Sequence, residues 1–209
     1  LTDHGNMYGA INFYMDAISE GIKPIMGCEV YLAPFSLTDK REFPGRKRAT
    51  HLTLLAETDE GWHNLMKLVT VAHLEGQYYK PRVDRETLRK YAKGLICLTG
   101  CLAGPVNEWL LRDDYGKAAE TLSELVDIFG PKNIYVELQD HGQEEQLKVK
   151  PGLIKLAREY NLPVVATNDV HFLTKEEHYA HDVLICIGLG KLREDPDRMR
   201  YSTEVYMKS

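Results

Sequence analysis

The chain has 209 residues, 44% of them hydrophobic and 27% charged, with a formal net charge of −5. That length and composition suit a folded chain with a substantial core and exclude disordered and fibrous classes. No apolar run approaches the ~20 residues needed to cross a bilayer, and the acidic balance opposes nonspecific nucleic-acid binding over the whole surface.

The chain opens on Leu1 rather than Met, in what reads as the tail of a strand before the turn Asp3-His4-Gly5. This predicts a fragment with further sequence upstream. Residues 9–20 predict a helix with apolar groups at Ile11, Tyr14, Met15 and Ile18, stopped by Gly21. A strand over 22–33 follows, then a polar loop over 36–50 containing Pro44 and Gly45, then a short strand over 51–55. Thr58 is the expected N-cap of a helix over 59–75, whose apolar stripe is Trp62, Leu65, Met66, Val69, Ala72 and His73. A short helix near 84–91 precedes a strand over 95–98, and helices near 105–111 and 115–129 come next. The remainder reads as strand 134–138, helix 144–160, strand 163–167 and helix 175–187. Residues 1–190 are expected to form one domain, and the charged stretch 191–209 the start of a connection to something further.

Six strands alternating with helices imply an α/β fold with a mainly parallel sheet, open or closed into a barrel. In such folds the chemistry gathers where the C-terminal strand ends meet. His4, Glu29, Cys101 and the pair Asp169-x-His171 lie at or near four separate strand ends. All are metal-ligand types, and side chains two apart in an extended segment share one face. Each also has a structural reading: His4 as a turn cap, Glu29 paired with Lys23, Cys101 as a small buried hydrophobe. His51 begins a strand instead of ending one, so its location gives it no support. His63, His73, His178 and His181 lie within predicted helices and read as packing or surface residues. His141 follows the strand 134–138 and is a candidate substrate contact.

The four cysteines, Cys28, Cys97, Cys101 and Cys186, lack CxxC spacing and read as reduced thiols of a cytoplasmic protein. In Tyr78-Tyr79-Lys80-Pro81-Arg82, aromatics stand beside cations, a pattern suited to stacking on a single strand while neutralising its phosphates. The plainer reading is a loop that packs its tyrosines and leaves its charges in water. No GxSxG, glycine-rich phosphate loop or GxGxxG is present. A nucleophilic Cys101 would leave Glu29 and Asp169 without a role.

The segments LTDHGNMYGA, GIKPIMGCEVYLAP, HLTLLAETDEGWHNLMKLV, GLICLTGCLAG, YVELQDHG and VVATNDVHFL resemble the PHP (polymerase and histidinol phosphatase) domain. The likeness is greatest to the PHP domains of bacterial DNA polymerase III alpha subunits and runs from Leu1 to Ser209. It implies a distorted (β/α)7 barrel, incomplete at the N-terminus because the first strand, its H-x-H motif and a further acidic ligand are absent from this chain. Matched motif by motif, it implies metal ligation by His4, Glu29, His51, Cys101, Asp169 and His171, with His4 and Asp169 catalytic. It further implies up to three Zn, Mn or Mg ions in the complete domain and a 3′-to-5′ exonuclease-type phosphodiesterase within a replicative polymerase. DNA would be met by Lys80, Arg82 and His141. The expected partners are the remaining polymerase domains, the sliding clamp and a separate proofreading exonuclease, with no membrane. The alternatives are a metal-stabilised scaffold that docks that exonuclease, or a stand-alone phosphomonoesterase of the histidinol-phosphate kind.

Overall fold

Three of the helices begin where a side chain offers their free N–H groups an acceptor. In the computed structural model, which describes residues 1–42 and 45–208, Thr58 Oγ1 accepts from Gly61 N at 3.1 Å, and Asp84 Oδ1 accepts from Thr87 N at 2.8 Å. Asp114 Oδ1 likewise accepts from Lys117 N at 3.0 Å. In chain order the elements are α1 (Ala10–Ser19), β1 (Gly27–Leu32), β2 (Thr50–Ala56), α2 (Asp59–Leu74), β3 (Gln77–Tyr78), β4 (Lys80–Val83) and α3 (Arg85–Tyr91). They continue with β5 (Leu95–Leu98), α4 (Pro105–Leu110), α5 (Tyr115–Phe129), β6 (Ile134–Leu138), α6 (Glu144–Glu159), β7 (Val164–Ala166) and α7 (His178–Leu189). Of the polar loop expected over 36–50, Pro44 lies outside the described residues.

The seven strands run in the order β3-β4-β1-β2-β5-β6-β7, an α/β arrangement that is barrel-like but not closed by hydrogen bonds among the described residues. The sheet is mixed, which corrects the expectation of a mainly parallel one. β2 is antiparallel to both β1 and β5, whereas β1–β4, β5–β6 and β6–β7 are parallel. The two strands of the β3–β4 hairpin lie in what the sequence pattern left as loop. Residues at the start of the chain contribute a single bridge, His4 to Glu29, and no full strand.

The direction of β2 matters for the site. Because β2 runs against β1, its first residues lie at the end where β1 finishes, and His51 pairs with Tyr31. A strand beginning therefore delivers its side chain to the same end of the sheet as its neighbours' strand ends.

Leu52, Leu54, Leu65, Leu68, Leu95 and Ile134 are fully buried and join the sheet to its helices. The buried stripe of α2 is Leu65, Leu68 and Ala72, while Met66 is exposed and His73 reaches the Gly5 carbonyl with Nε2 at 2.8 Å. α1 forms where expected, yet Ile11, Tyr14, Met15 and Ile18 are exposed and only Ala10 and Ala17 are buried. Its apolar face therefore has no cover among the described residues. All four cysteines are free thiols. No helix among the described residues is long and apolar enough to cross a membrane.

The stretch after Gly190 turns back on the sheet's end. His171 N donates to Val205 O at 2.8 Å, and Met207 N donates to Phe172 O at 3.2 Å. Ser202 Oγ donates to His141 O at 3.2 Å, and Asn168 Nδ2 donates to Glu204 O at 3.0 Å. Arg193 and Arg198 close the turn by clasping the buried Asp182 of α7.

Candidate metal centre

Five chain segments bring their donors to one place. His51 Nδ1 lies 2.6 Å from Glu29 Oε1, and His4 Nε2 lies 3.5 Å from the same oxygen. The donor atoms of His4, Glu29 and His51 all fall within 4.8 Å of one another, a spread that one or two ions could bridge. Cys101 Sγ stands 3.9 Å from His51 Nδ1. It gets there through Gly100, whose φ of +86° suits glycine and whose Cβ, if present, would lie 2.7 Å from the His51 carbonyl. A turn this tight holds the start of β2 against the end of β5.

The fifth segment follows β7. Asp169 takes a left-handed φ of +46°, and its Oδ1 lies 3.9 Å from His171 Nδ1. The His171 ring sits 5.8 Å from that of His4. His171 Nδ1 donates to the Asp169 carbonyl at 2.6 Å, which places the proton on Nδ1 and leaves Nε2 with a free lone pair. That Nε2 is buried and has no hydrogen-bond partner among the described residues. An imidazole oriented by one carbonyl, with its other nitrogen buried and unpartnered and its ring 5.8 Å from that of His4, fits a bound cation.

The electrostatics agree with that donor set. Burial pushes Glu29 upward, but the His51 hydrogen bond and the surrounding imidazoles outweigh it and hold this carboxyl below its ordinary range. Asp169 goes the other way: burial, helped by the Glu29 charge, raises it. His4 is lowered, chiefly by burial, which favours the neutral imidazole that a cation would need. Burial and the carboxylates of Glu29 and Asp169 push the Cys101 thiol up to about 12. Two carboxylates and a thiol crowded together in this way are relieved by positive charge.

Other residues join the site without having been singled out. Glu137 is buried on β6, where it accepts from Gly100 N at 3.0 Å, Thr167 Oγ1 at 2.5 Å and Gln139 Nε2 at 3.2 Å. It ties the Cys101 turn to the end of β7. Its only sequence signal is a carboxylate in the otherwise apolar strand Ile134–Leu138. Tyr201 packs 4.4 Å from the His171 ring and 5.0 Å from that of His181. Nothing local in the sequence marks it, because only the fold-back of the last residues brings it in. Tyr31 stands 5.2 Å from the His51 ring, with Lys80 Nζ 5.5 Å from its own centre.

Two of the three expected DNA contacts are placed otherwise. Arg82 is 1% exposed, and its guanidinium donates to the carbonyls of Leu37 and Asp39 at 3.0 Å each, so no phosphate can reach it. His141 is also buried, with Nε2 donating to Asn168 O at 3.1 Å and Nδ1 accepting from Gln146 Nε2 at 2.9 Å. Both ring nitrogens are occupied, and the residue braces the segment that carries Asp169. Lys80 alone of the three is exposed. A cleft of about 590 Å³ beside Phe35, Arg46 and Trp109 contains none of the candidate ligands.

The PHP domain profile matches residues 1–141. The chain belongs to the PHP domain family. Over its whole length this PHP domain is 48% identical to the DNA polymerase III subunit alpha of Treponema pallidum, 41% to that of Borreliella burgdorferi and 44% to that of Thermus aquaticus. It spans 17–18% of the length of those relatives. Asp169 and His171 lie beyond the family match but inside all three alignments.

The raised Cys101 thiol gives this PHP domain a pH signature. The thiol stays protonated through the neutral range, so a cation that takes the thiolate must expel its proton. Zinc affinity, measured by competition with a chromophoric chelator, is expected to climb as pH rises from about 6 to 8. Cys101→Ser should flatten that climb by one proton. An unchanged slope would remove Cys101 from the ligand set.

Proposed function

We propose that this domain is part of a bacterial replicative DNA polymerase and is itself a metal-dependent phosphodiesterase that removes nucleotides from a DNA 3′ end. The observation carrying this reading is the buried, partnerless Nε2 of His171 beside the Glu29–His51–His4 cluster. In this reading His4, Glu29, His51, Cys101, Asp169 and His171 hold the ions. Divalent cations so held supply Lewis acidity, lower the pKa of water and neutralise charge on a phosphodiester.

The chain's own residues define the approach. The His4 side chain is 38% exposed, against 9% for Glu29 and 25% for His51, so substrate enters over His4. Asp169, 23% exposed, flanks the entrance beside His171. Lys80, beside Tyr31, offers the positive charge that draws in a strand's phosphate. The similarity to DNA polymerase III alpha subunits supports DNA as the substrate class, with the remaining polymerase domains as partners in one longer chain. The sliding clamp and a separate proofreading exonuclease belong to the same reading.

A second reading has its own support. Tyr201 lies against the His171 ring and covers part of the cluster, as suits ions that stabilise the fold and a surface that docks an exonuclease. One experiment separates the readings. The full-length polymerase chain, with its metals quantified, is assayed on a 3′-labelled primer and on a phosphomonoester. Metal-dependent loss of the 3′ label supports the nuclease. Bound metal with no turnover supports the scaffold, and turnover of the monoester alone supports a phosphatase.

A further inference from the structure

The tip of the β3–β4 hairpin holds a tyrosine where the backbone asks for glycine. Tyr78 pairs with Lys80, which leaves Tyr79 as the turn, at a φ of +60°. A β-carbon in that left-handed region clashes with the neighbouring carbonyl, so the conformation is strained for any residue but glycine. Burial does not offset the strain, since Tyr79 is 65% exposed. The chain thus holds a large aromatic ring out in water in a conformation that disfavours it.

The ring's surroundings indicate what would cover it. Arg48 Cζ lies 4.2 Å from the ring centre, and Tyr78 meets it edge-on at 4.8 Å. Arg48 is itself paired with the exposed Glu42. With Arg48 and Tyr78 both in contact, the Tyr79 side chain still presents most of its surface to solvent, where another flat group can stack. From Tyr79 a continuous strip leads inward: Lys80, then the Tyr31 ring at 5.5 Å from its Nζ, then the His51 ring at 5.2 Å from Tyr31. An aromatic face, a phosphate-seeking lysine and a cluster of metal-ligand side chains lie in that order along one path.

We propose that Tyr79 is a base-stacking subsite, which seats a nucleobase of the single strand whose 3′ end enters the metal centre. It rests on the phosphodiesterase reading for the identity of that strand, and on geometry alone for the subsite. Base–aromatic stacking is indifferent to sequence because every base has a π face, so this subsite would hold any terminal sequence in register while Lys80 takes a phosphate.

The test uses the full-length chain and a short single-stranded oligothymidylate carrying 5-iododeoxyuridine near its 3′ end. Under long-wavelength light the adduct is expected on the peptide containing Tyr79, as located by mass spectrometry. Tyr79→Gly should abolish that adduct and weaken anisotropy-measured binding at this site by roughly 5–100-fold, in keeping with about 1–3 kcal/mol per stacked base. Tyr79→Trp should restore both. Because Tyr79→Gly also relieves the left-handed strain, its melting temperature should match or exceed that of the parent, so lost binding is not lost folding. Adducts that map elsewhere, or that persist at this hairpin in Tyr79→Gly, would overturn the proposal. Hydrolysis of bis-p-nitrophenyl phosphate, which has no base to stack, is followed in parallel. Its absence in the parent protein counts against the phosphodiesterase reading, whereas the crosslink decides the subsite in either case.

Discussion

Asp169→Asn in the full-length chain is expected to lower metal-dependent phosphodiester hydrolysis by roughly 10²- to 10⁴-fold, the scale of losing several kcal/mol of charge stabilisation. Asparagine is the informative replacement. Residue 169 has a φ of +46°, a region that asparagine tolerates and alanine does not, so Asp169→Ala would mix backbone strain with ligand loss. The stability data should change sign with metal. Burial raises the Asp169 carboxyl, so its charged form is disfavoured in the folded chain, and that penalty grows as pH rises through the ordinary carboxylate range. In EDTA at neutral pH the Asn variant should therefore melt at or above the parent. With manganese or zinc added, the parent should gain more and overtake it. A variant that keeps full metal content and full hydrolysis would remove Asp169 from the site.

The second large effect concerns folding. Arg82→Met is expected to destabilise the protein by about 3 kcal/mol, because it strips donors from buried carbonyls and leaves them unsatisfied. The guanidinium serves Leu37 O and Asp39 O at 3.0 Å each and reaches the Gly76 and Arg48 carbonyls at 3.4 Å. The Tyr78 ring lies 4.9 Å away and shares in solvating the charge. Methionine replaces the aliphatic stem but none of these bonds. For a chain of this size the loss corresponds to a melting temperature lower by about 6–12 °C. A true phosphate contact would behave oppositely, with DNA affinity reduced, a shallower salt dependence and melting unchanged. Because Arg82 joins the 37–39 loop to the hairpin that carries Tyr79 and Lys80, any loss of DNA binding in Arg82→Met should track the loss of folding stability.

Much of the architecture was legible because local chemistry decides local structure. Thr58, Asp84 and Asp114 cap the helices they precede, and α5, α6 and β6 lie within a residue of where the apolar periodicity puts them. The exceptions share one cause, which is that periodicity shows a face without showing what covers it. The Ile11–Tyr14–Met15–Ile18 face of α1 has helical spacing and is nevertheless exposed. Arg82 reads as a surface cation in its own pentapeptide, and its burial comes from contacts with distant segments, among them the 37–39 loop folding over it.

The candidate site divides in the same way. Residue types alone marked His4, Glu29, Cys101, Asp169 and His171, because imidazole, thiol and carboxylate at strand ends carry their chemistry with them. His51 had no support from position, since the rule of strand ends assumes parallel strands. The antiparallel course of β2 is set by pairing across the sheet, and it turns a strand beginning into a site residue. Glu137 and Tyr201 likewise acquire their places from contacts between segments distant in the chain. Sequence by itself determined most of the helices and strands, the β3–β4 hairpin apart, and which side chains could bind a cation, because propensity, capping and ligand chemistry act over a few residues. Tertiary structure alone decided strand direction, burial and which of those donors meet, because each depends on packing between segments tens of residues apart.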